Sequence, residues 1–199
     1  MGPLADHRFP QSDDGAEVAG LLAAASRGDE AAWRRIIGLY GRRVYALAKS
    51  RCQRIELAEE VTQSVFATVA AKLGSGGYTE QGRFESWLFR VAMNRIRDEM
   101  RRRKRHAEPT DPASLALVQS PSDAGDDREP PALVNLRAAM AQLPDADREI
   151  IELRHHGGMS FKQMADLLRE PLGTLLARHH RALRKLKQLM GNDEAGSEA

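Results

Sequence analysis

The sequence predicts an all-α protein of two small helical domains joined by a flexible linker, and three observations carry that expectation. Apolar residues recur every three or four positions through most of the chain, the spacing that lines one side of a helix. No segment alternates with period two for long, and turn-flanked runs of Val, Ile and Thr are missing. Between Ala107 and Pro131 the apolar pattern lapses into Pro, Asp, Ser and Gly, broken only by Leu115 to Val118, which reads as a linker. At 42% hydrophobic but only 5% aromatic residues, the cores must be built from Leu, Ala, Ile and Val.

Residues 1–27 form a polar tail that passes into a weak helical pattern at Val18, Leu21 and Leu22. The first domain spans 28–106. From Asp29 to about Arg54, Trp33, Ile36, Ile37, Tyr40, Val44, Leu47 and Ala48 recur at helical spacing, with Gly41 a point of bending. A second helix from about Leu57 carries Val61, Val65, Val69 and Leu73 in an i, i+4 row, beside Phe66, and stops at Gly74-Ser75-Gly76-Gly77. After a loop to Arg83, a third helix directs Phe84, Trp87, Leu88, Val91, Ala92, Ile96 and Met100 inward. Its other side and end carry Arg90, Arg95, Arg97 and the run Arg101-Arg102-Arg103-Lys104-Arg105.

The second domain spans 132–190, with an acidic tail at 191–199. Leu133, Leu136, Met140 and Leu143 begin it, and a helix restarts after Pro144 and continues through Ile150, Ile151 and Leu153 to Gly157-Gly158. Ser160 and Gln163 then form a capping box of the type S-x-x-Q. Phe161, Met164, Ala165 and Leu168 share a face, and Ala165 is small enough to admit a close neighbour. Pro171 breaks the helix, which places a turn near Arg169 to Gly173 with Thr174 as the next N-cap. In the helix that follows, Leu175, Ala182, Leu183, Leu186, Leu189 and Met190 share a face with His179, and the other side carries Ala177, His180, Arg181, Arg184 and Lys187. A capped short helix, a tight turn and a basic amphipathic helix in series are how a helix-turn-helix offers a recognition helix to the major groove.

Charge supports that direction. The net charge of +2 hides a segregated pattern: basic runs at the helix ends, and an acidic stretch from Glu108 to Glu129 in which Arg128 is the only Lys or Arg. The single cysteine, Cys52, excludes an intrachain disulfide and a four-cysteine zinc site, and its apolar surroundings make it a core residue. Without a secretory signal or an apolar run near about 18 residues, the expectation is a cytoplasmic chain with no membrane insertion. His155-His156 and His179-His180 are the only hint of a metal site; adjacent histidines point to different helix faces, so no metal, no cofactor and no enzymatic activity are expected.

In order along the chain, Ala58-Glu59-Glu60-Val61-Thr62-Gln63-Ser64-Val65-Phe66, Phe84-Glu85-Ser86-Trp87-Leu88-Phe89-Arg90-Val91-Ala92-Met93-Asn94, Asp98 and Arg101-Arg102, then Leu143-Pro144, Arg148-Glu149, Met159-Ser160 through Ala165 and Gly173-Thr174 through Arg181-Ala182, resemble regions 2 and 4 of the extracytoplasmic-function (ECF) sigma factors of bacterial RNA polymerase. The resemblance covers roughly 28–106 and 132–190, and its specificity lies in the ordered set. It implies a specificity subunit that binds core polymerase at the beta-prime clamp and the beta flap and directs initiation. Region 2 would melt and read the minus-ten element, region 4 would read the minus-thirty-five duplex, and an anti-sigma factor is a further partner.

Carried onto this sequence, the clamp contact falls on Glu59, Glu60, Gln63 and Phe66, with Ser64 where an acidic residue is usual. The loop that captures an unstacked base supplies Tyr78, Thr79, Gln81 and Arg83; Arg90, Asn94 and Arg97 contact the strand, and Arg101 and Arg102 its phosphates. In region 4 the DNA contacts fall on Ser160, Thr174, Leu176, Ala177, Arg178, His180, Arg181 and Arg184. Leu176 and Ala177 depart from the family pattern: neither donates a hydrogen bond, though either can touch a thymine methyl. A repressor or activator with an N-terminal effector domain would share the helix-turn-helix but leaves the Gln63 and Asn94 motifs without a purpose.

Overall fold

The computed structural model describes residues 14–107 and 130–195. Within them run α1 (Asp14–Ser26), α2 (Glu30–Cys52), α3 (Ile55–Gly74), α4 (Phe84–Ala107), α5 (Pro131–Ala141), α6 (Asp145–His155), α7 (Phe161–Leu168) and α8 (Leu172–Ala195), and no strand. The linker, with Leu115 to Val118, lies outside the described residues.

The first module packs α1, α3 and α4 around α2. Asp29 starts α2 by accepting the backbone N–H groups of Ala31 and Ala32 at 2.8 and 3.0 Å. The helix continues through Gly41 to Gln53, whose φ of 60° ends it. Ile36, Tyr40, Val44 and Leu47 face inward, whereas Ile37, expected beside them, is exposed. It stands one residue, about 100° of helix, away from their stripe. On α3 the row Val61, Val65, Val69 and Leu73 is buried throughout, as its spacing requires.

Two expectations need correction here. Met100 is exposed, and Phe89 and Met93 are buried in its stead, because α4 has neighbours on two sides: α2 and α3 on one, α7 on the other. The weak N-terminal pattern is α1, and it belongs to the core rather than to a tail. Leu22 and Ala25 are buried, and the Trp33 indole N–H donates to the Ala25 carbonyl at 3.1 Å. Its alanines provide little apolar signal but allow close approach.

In the second module, Ala139, Leu143, Ile151, Ala182 and Leu186 form a small core shared by α5, α6 and α8. Leu133, expected in that core, is exposed. At Gly157 a Cβ would lie 2.6 Å from the Leu153 carbonyl oxygen, so only glycine permits the tight exit from α6. The capping box forms as read: the Gln163 N–H donates to Ser160 Oγ at 3.2 Å, and the Ser160 N–H donates to Gln163 Oε1 at 2.7 Å. Leu167, not Leu168, is buried beside Met164.

The turn between the two helices is shorter than its residues implied. Arg169 ends α7 at φ 58°, and α8 starts at Leu172. Pro171 has its φ fixed near the helical value, and its carbonyl accepts the N–H groups of Thr174 and Leu175 at 3.0 and 3.2 Å. Thr174 therefore lies inside the first turn and does not cap it. Leu183, expected inward, is exposed, and α8 runs on through 191–195, which had read as tail.

The described residues of the two modules also pack against each other. Ile150, Leu153, Met159, Met164, Leu167 and Leu175 of the second module close one continuous core with the first. Contacts run from α4 to α7 and from α2 to α6. No helix among the described residues is long and apolar enough to cross a membrane.

Candidate nucleic-acid interface

The outer side of α8 is a basic, solvent-facing stripe. Leu175, Ala182 and Leu186 anchor the inner side, which turns Thr174, Leu176, Ala177, His180, Arg181 and Arg184 outward. Arg184 Nη2 lies 3.3 Å from His180 Nδ1, and Arg181 is exposed. Arg178 is partly buried and held by Glu170 at 2.9 Å. Ser160 Oγ is committed to the capping box, so its hydroxyl shapes the helix-turn-helix from inside.

Behind α8, the rings of His155 and His179 stack at 5.7 Å, and Phe161 meets His179 edge-on at 5.2 Å. Nε2 of His179 is buried without a hydrogen-bond partner. Burial, with the neighbouring His155, Arg154 and His180 charges, holds the His179 imidazole below the usual histidine range; burial and Arg154 do the same for His155. Among the described residues no group of three or more His, Cys, Asp or Glu is arranged to hold a metal ion.

On the first module, Glu59, Glu60 and Gln63 are exposed on α3, and Phe66 packs partly into the core beneath them. Arg102, at the far end of α4, reaches Glu60 at 3.7 Å and Glu99 at 2.8 Å. Thr79, Gln81 and Arg83 are exposed in the loop after α3, and the Arg83 N–H donates to Glu80 at 3.0 Å. Tyr78 does not: its ring lies on Trp87 at 4.3 Å and edge-on to Phe84 at 5.8 Å. Its hydroxyl donates to Glu80 at 2.7 Å, and burial pushes the phenol far above its ordinary range. One face of that ring is thus occupied by Trp87. Beside it a cavity of about 550 Å³ opens between Tyr40, Arg43, Glu80, Gly82, Phe84 and Glu85.

Along α4, Asn94, Arg101 and Arg102 are exposed, whereas Arg90 and Arg97 are already engaged. Arg90 Nη2 donates to the carbonyls of Asp166 and Leu167 at 2.8 and 3.3 Å, and Arg97 pairs with Glu149. Arg103 is pinned inward, donating to the Cys52 carbonyl at 3.1 Å. The Cys52 thiol is core, as read, and burial first, then Glu99, pushes it up to about 11.

The sequence reading missed the groups that join the modules: Arg43 with the Gly157 carbonyl, Glu85 with the Gln163 side chain, and Arg51 with Glu152. One signal was available. Glu152 interrupts the apolar run Ile150, Ile151 and Leu153, and a carboxylate on an inward side demands a cation from elsewhere.

The family described as Sigma-70 region 2 matches residues 36–106, and that described as Sigma-70, region 4 matches residues 139–188. The ECF RNA polymerase sigma factor SigM of Mycobacterium tuberculosis is 30% identical over 173 residues, covering 87% of this chain and 84% of that one. Two solved structures share the fold. CnrH in complex with the cytosolic domain of CnrY has a TM-score of 0.66 at 23% identity over 88% of this chain and 97% of that one. The sigma factor RpoE in complex with the anti-sigma factor NepR, from Bartonella quintana, has 0.55 at 22% over 91% and 98%. Sigma factors are non-catalytic initiation factors. With α3, α4 and the exposed basic side of α8 falling inside the two matched regions, the chain belongs to the ECF family of RNA polymerase sigma factors, promoter-recognising subunits that direct transcription initiation.

Proposed function

We propose that the chain divides promoter recognition between its two modules while bound to core polymerase in the cytoplasm, and performs no chemistry itself. Glu59, Glu60, Gln63 and Phe66 form the docking surface for the beta-prime clamp. Carboxylates and an amide on an exposed helix side suit a basic partner, and Ser64 leaves that surface one negative charge weaker than is usual in the family. Thr79, Gln81 and Arg83, together with Tyr78, receive a base extruded from the melting minus-ten element. Asn94, Arg90 and Arg97 follow the non-template strand, and Arg101 and Arg102 hold phosphates without reading sequence. The second module docks near the beta flap and lays α8 in the major groove at minus thirty-five.

The observation that carries this reading is the sidedness of α8. Every residue aligned with a family DNA contact from Leu176 to Arg184, except the Glu170-bound Arg178, faces solvent, while the apolar side is buried. Leu176 and Ala177 bring apolar contact to thymine methyls, and Arg181 brings the hydrogen bonds. The solved relative bound to an anti-sigma factor makes a protein inhibitor of that kind a natural partner here too. Run-off transcription with bacterial core enzyme over a promoter pool tests the proposal. Transcripts from a defined promoter class that depend on this chain are expected, and a chain that fails to bind core enzyme at low salt refutes it.

A further inference from the structure

On α2, Arg42, Tyr45, Ala46 and Lys49 recur at helical spacing on the side opposite the buried stripe of Ile36, Tyr40, Val44 and Leu47. On α5, Leu133, Leu136, Arg137 and Met140 recur in the same way. These two sides face each other across the boundary between the modules and line a cavity of about 450 Å³, to which α6 adds Arg148 and Glu152. Leu133, 47% exposed and outside the small core of the second module, belongs to the wall of this cavity instead. Concave sites of this size between domains, apolar over most of their wall with a few polar groups to fix orientation, are where proteins hold small molecules.

Charge decides what kind of molecule fits. Four cationic side chains, Arg42, Lys49, Arg137 and Arg148, line the cavity against one carboxylate, Glu152. Glu152 does not balance them, because it is buried in its pair with Arg51. Arg42 and Lys49 are exposed at the rim, and among the described residues no carboxylate pairs with either. Beside the cavity, Arg51 Nη2 and Arg148 Nε are buried without a hydrogen-bond acceptor, so this junction is short of negative oxygen on its inner side as well. We infer that the cleft between α2 and α5 binds a small amphipathic organic acid. Its apolar body lies between Tyr45 and the Leu133, Leu136 and Met140 side of α5, and its anionic group lies at the rim with Arg42 and Lys49. A neutral apolar molecule would fill the wall but leave the cations unmatched. A small inorganic anion would meet the cations but bury none of the wall, and at an exposed rim charge alone contributes little. The bound acid touches both modules and needs neither DNA nor polymerase, so the site stands or falls independently of the promoter reading.

The test titrates the full chain with anilinonaphthalene sulfonate, an aromatic acid, and with N-phenylnaphthylamine, the same ring system without the sulfonate. Saturation at one sulfonate dye per chain is expected, with the neutral dye bound about tenfold more weakly or worse. The double variant Arg42→Glu with Lys49→Glu, and separately Leu133→Glu, should each weaken the sulfonate by about tenfold with helix content unchanged by circular dichroism; all three positions are exposed, so the fold does not depend on them. Val134→Glu changes an equally exposed apolar residue of α5 outside the cavity and should leave binding as it was, which separates the site from general surface adhesion. No binding, equal affinity for the two dyes, or binding indifferent to both cleft variants overturns the inference. Two further results reassign the cleft and overturn it too. One is a dimer by light scattering that Leu133→Glu disperses, which gives the cleft to a second copy. The other is a tenfold gain in dye affinity when Leu115, Leu117 and Val118 are replaced by serine, which gives it to the chain's own apolar run.

Discussion

At the scale of single residues, two positions on α8 make opposite demands. Among the described residues no carboxylate pairs with Arg181, which faces solvent, so it is placed to take a guanine edge or phosphate in the groove. Arg181→Ala is expected to weaken minus-thirty-five binding by about 1–3 kcal/mol, measured on duplex promoter fragments with the polymerase holoenzyme at fixed salt, and to leave the thermal midpoint of the chain unchanged. His179, by contrast, is a histidine the fold wants neutral. Its imidazole is depressed chiefly by burial, so the unfolded chain takes up the proton first as pH falls, and stability drops below about 6.5. Glu152 pulls the other way, because burial raises its carboxyl and the folded chain binds that proton earlier. The clean measurement is therefore a difference: His179→Phe, which also removes the orphaned Nε2, should lose less stability than the wild type between pH 7 and pH 5, with Glu152 common to both (pH values about these, by chemical denaturation). Equal losses would show that His155 and His156, both also depressed chiefly by burial, carry the dependence instead.

At the scale of elements, legibility followed the strength of the local signal. The Val61–Leu73 row and the Ser160–Gln163 box were readable because periodicity and a side-chain cap are properties of a few neighbouring residues. The box predicts its own test: Ser160→Ala removes an acceptor for the Gln163 N–H and should cost about 1 kcal/mol of second-module stability by denaturant titration, while Ser160→Asp should recover most of it. Where the sequence misled, a neighbour distant in the chain had decided the outcome. Phe89 and Met93 are buried because α7 lies on the far side of α4, and nothing near residue 90 announces a helix from residue 161. Pro171 was legible as a breaker but not as a helix start, since its fixed φ suits both. The exposed contact residues of α8 were placed by their alignment and by the 3.6-residue period together. The commitment of Tyr78 to Trp87 was visible in neither, because it depends on how a loop folds back.

At the scale of the whole molecule, the question is whether two matched regions make one cooperative unit. The shared core and the pair between Arg51 and Glu152, the latter 1% exposed, predict a single thermal transition for the intact chain despite its two modules. Arg51→Ala probes this directly. Stripping the cation from a buried carboxylate ordinarily costs about 3–5 kcal/mol. A monolithic core would pay all of it, either by protonating Glu152 or by unfolding around it. This molecule has a cheaper response: letting α6 leave α2 returns Glu152 to water, so the loss is capped at the cost of parting the modules. The expected result is that the one transition resolves into two, each module melting on its own. Calorimetry that shows one transition simply moved to lower temperature would mean that neither module is stable without the other, and that the shared core is what folds both.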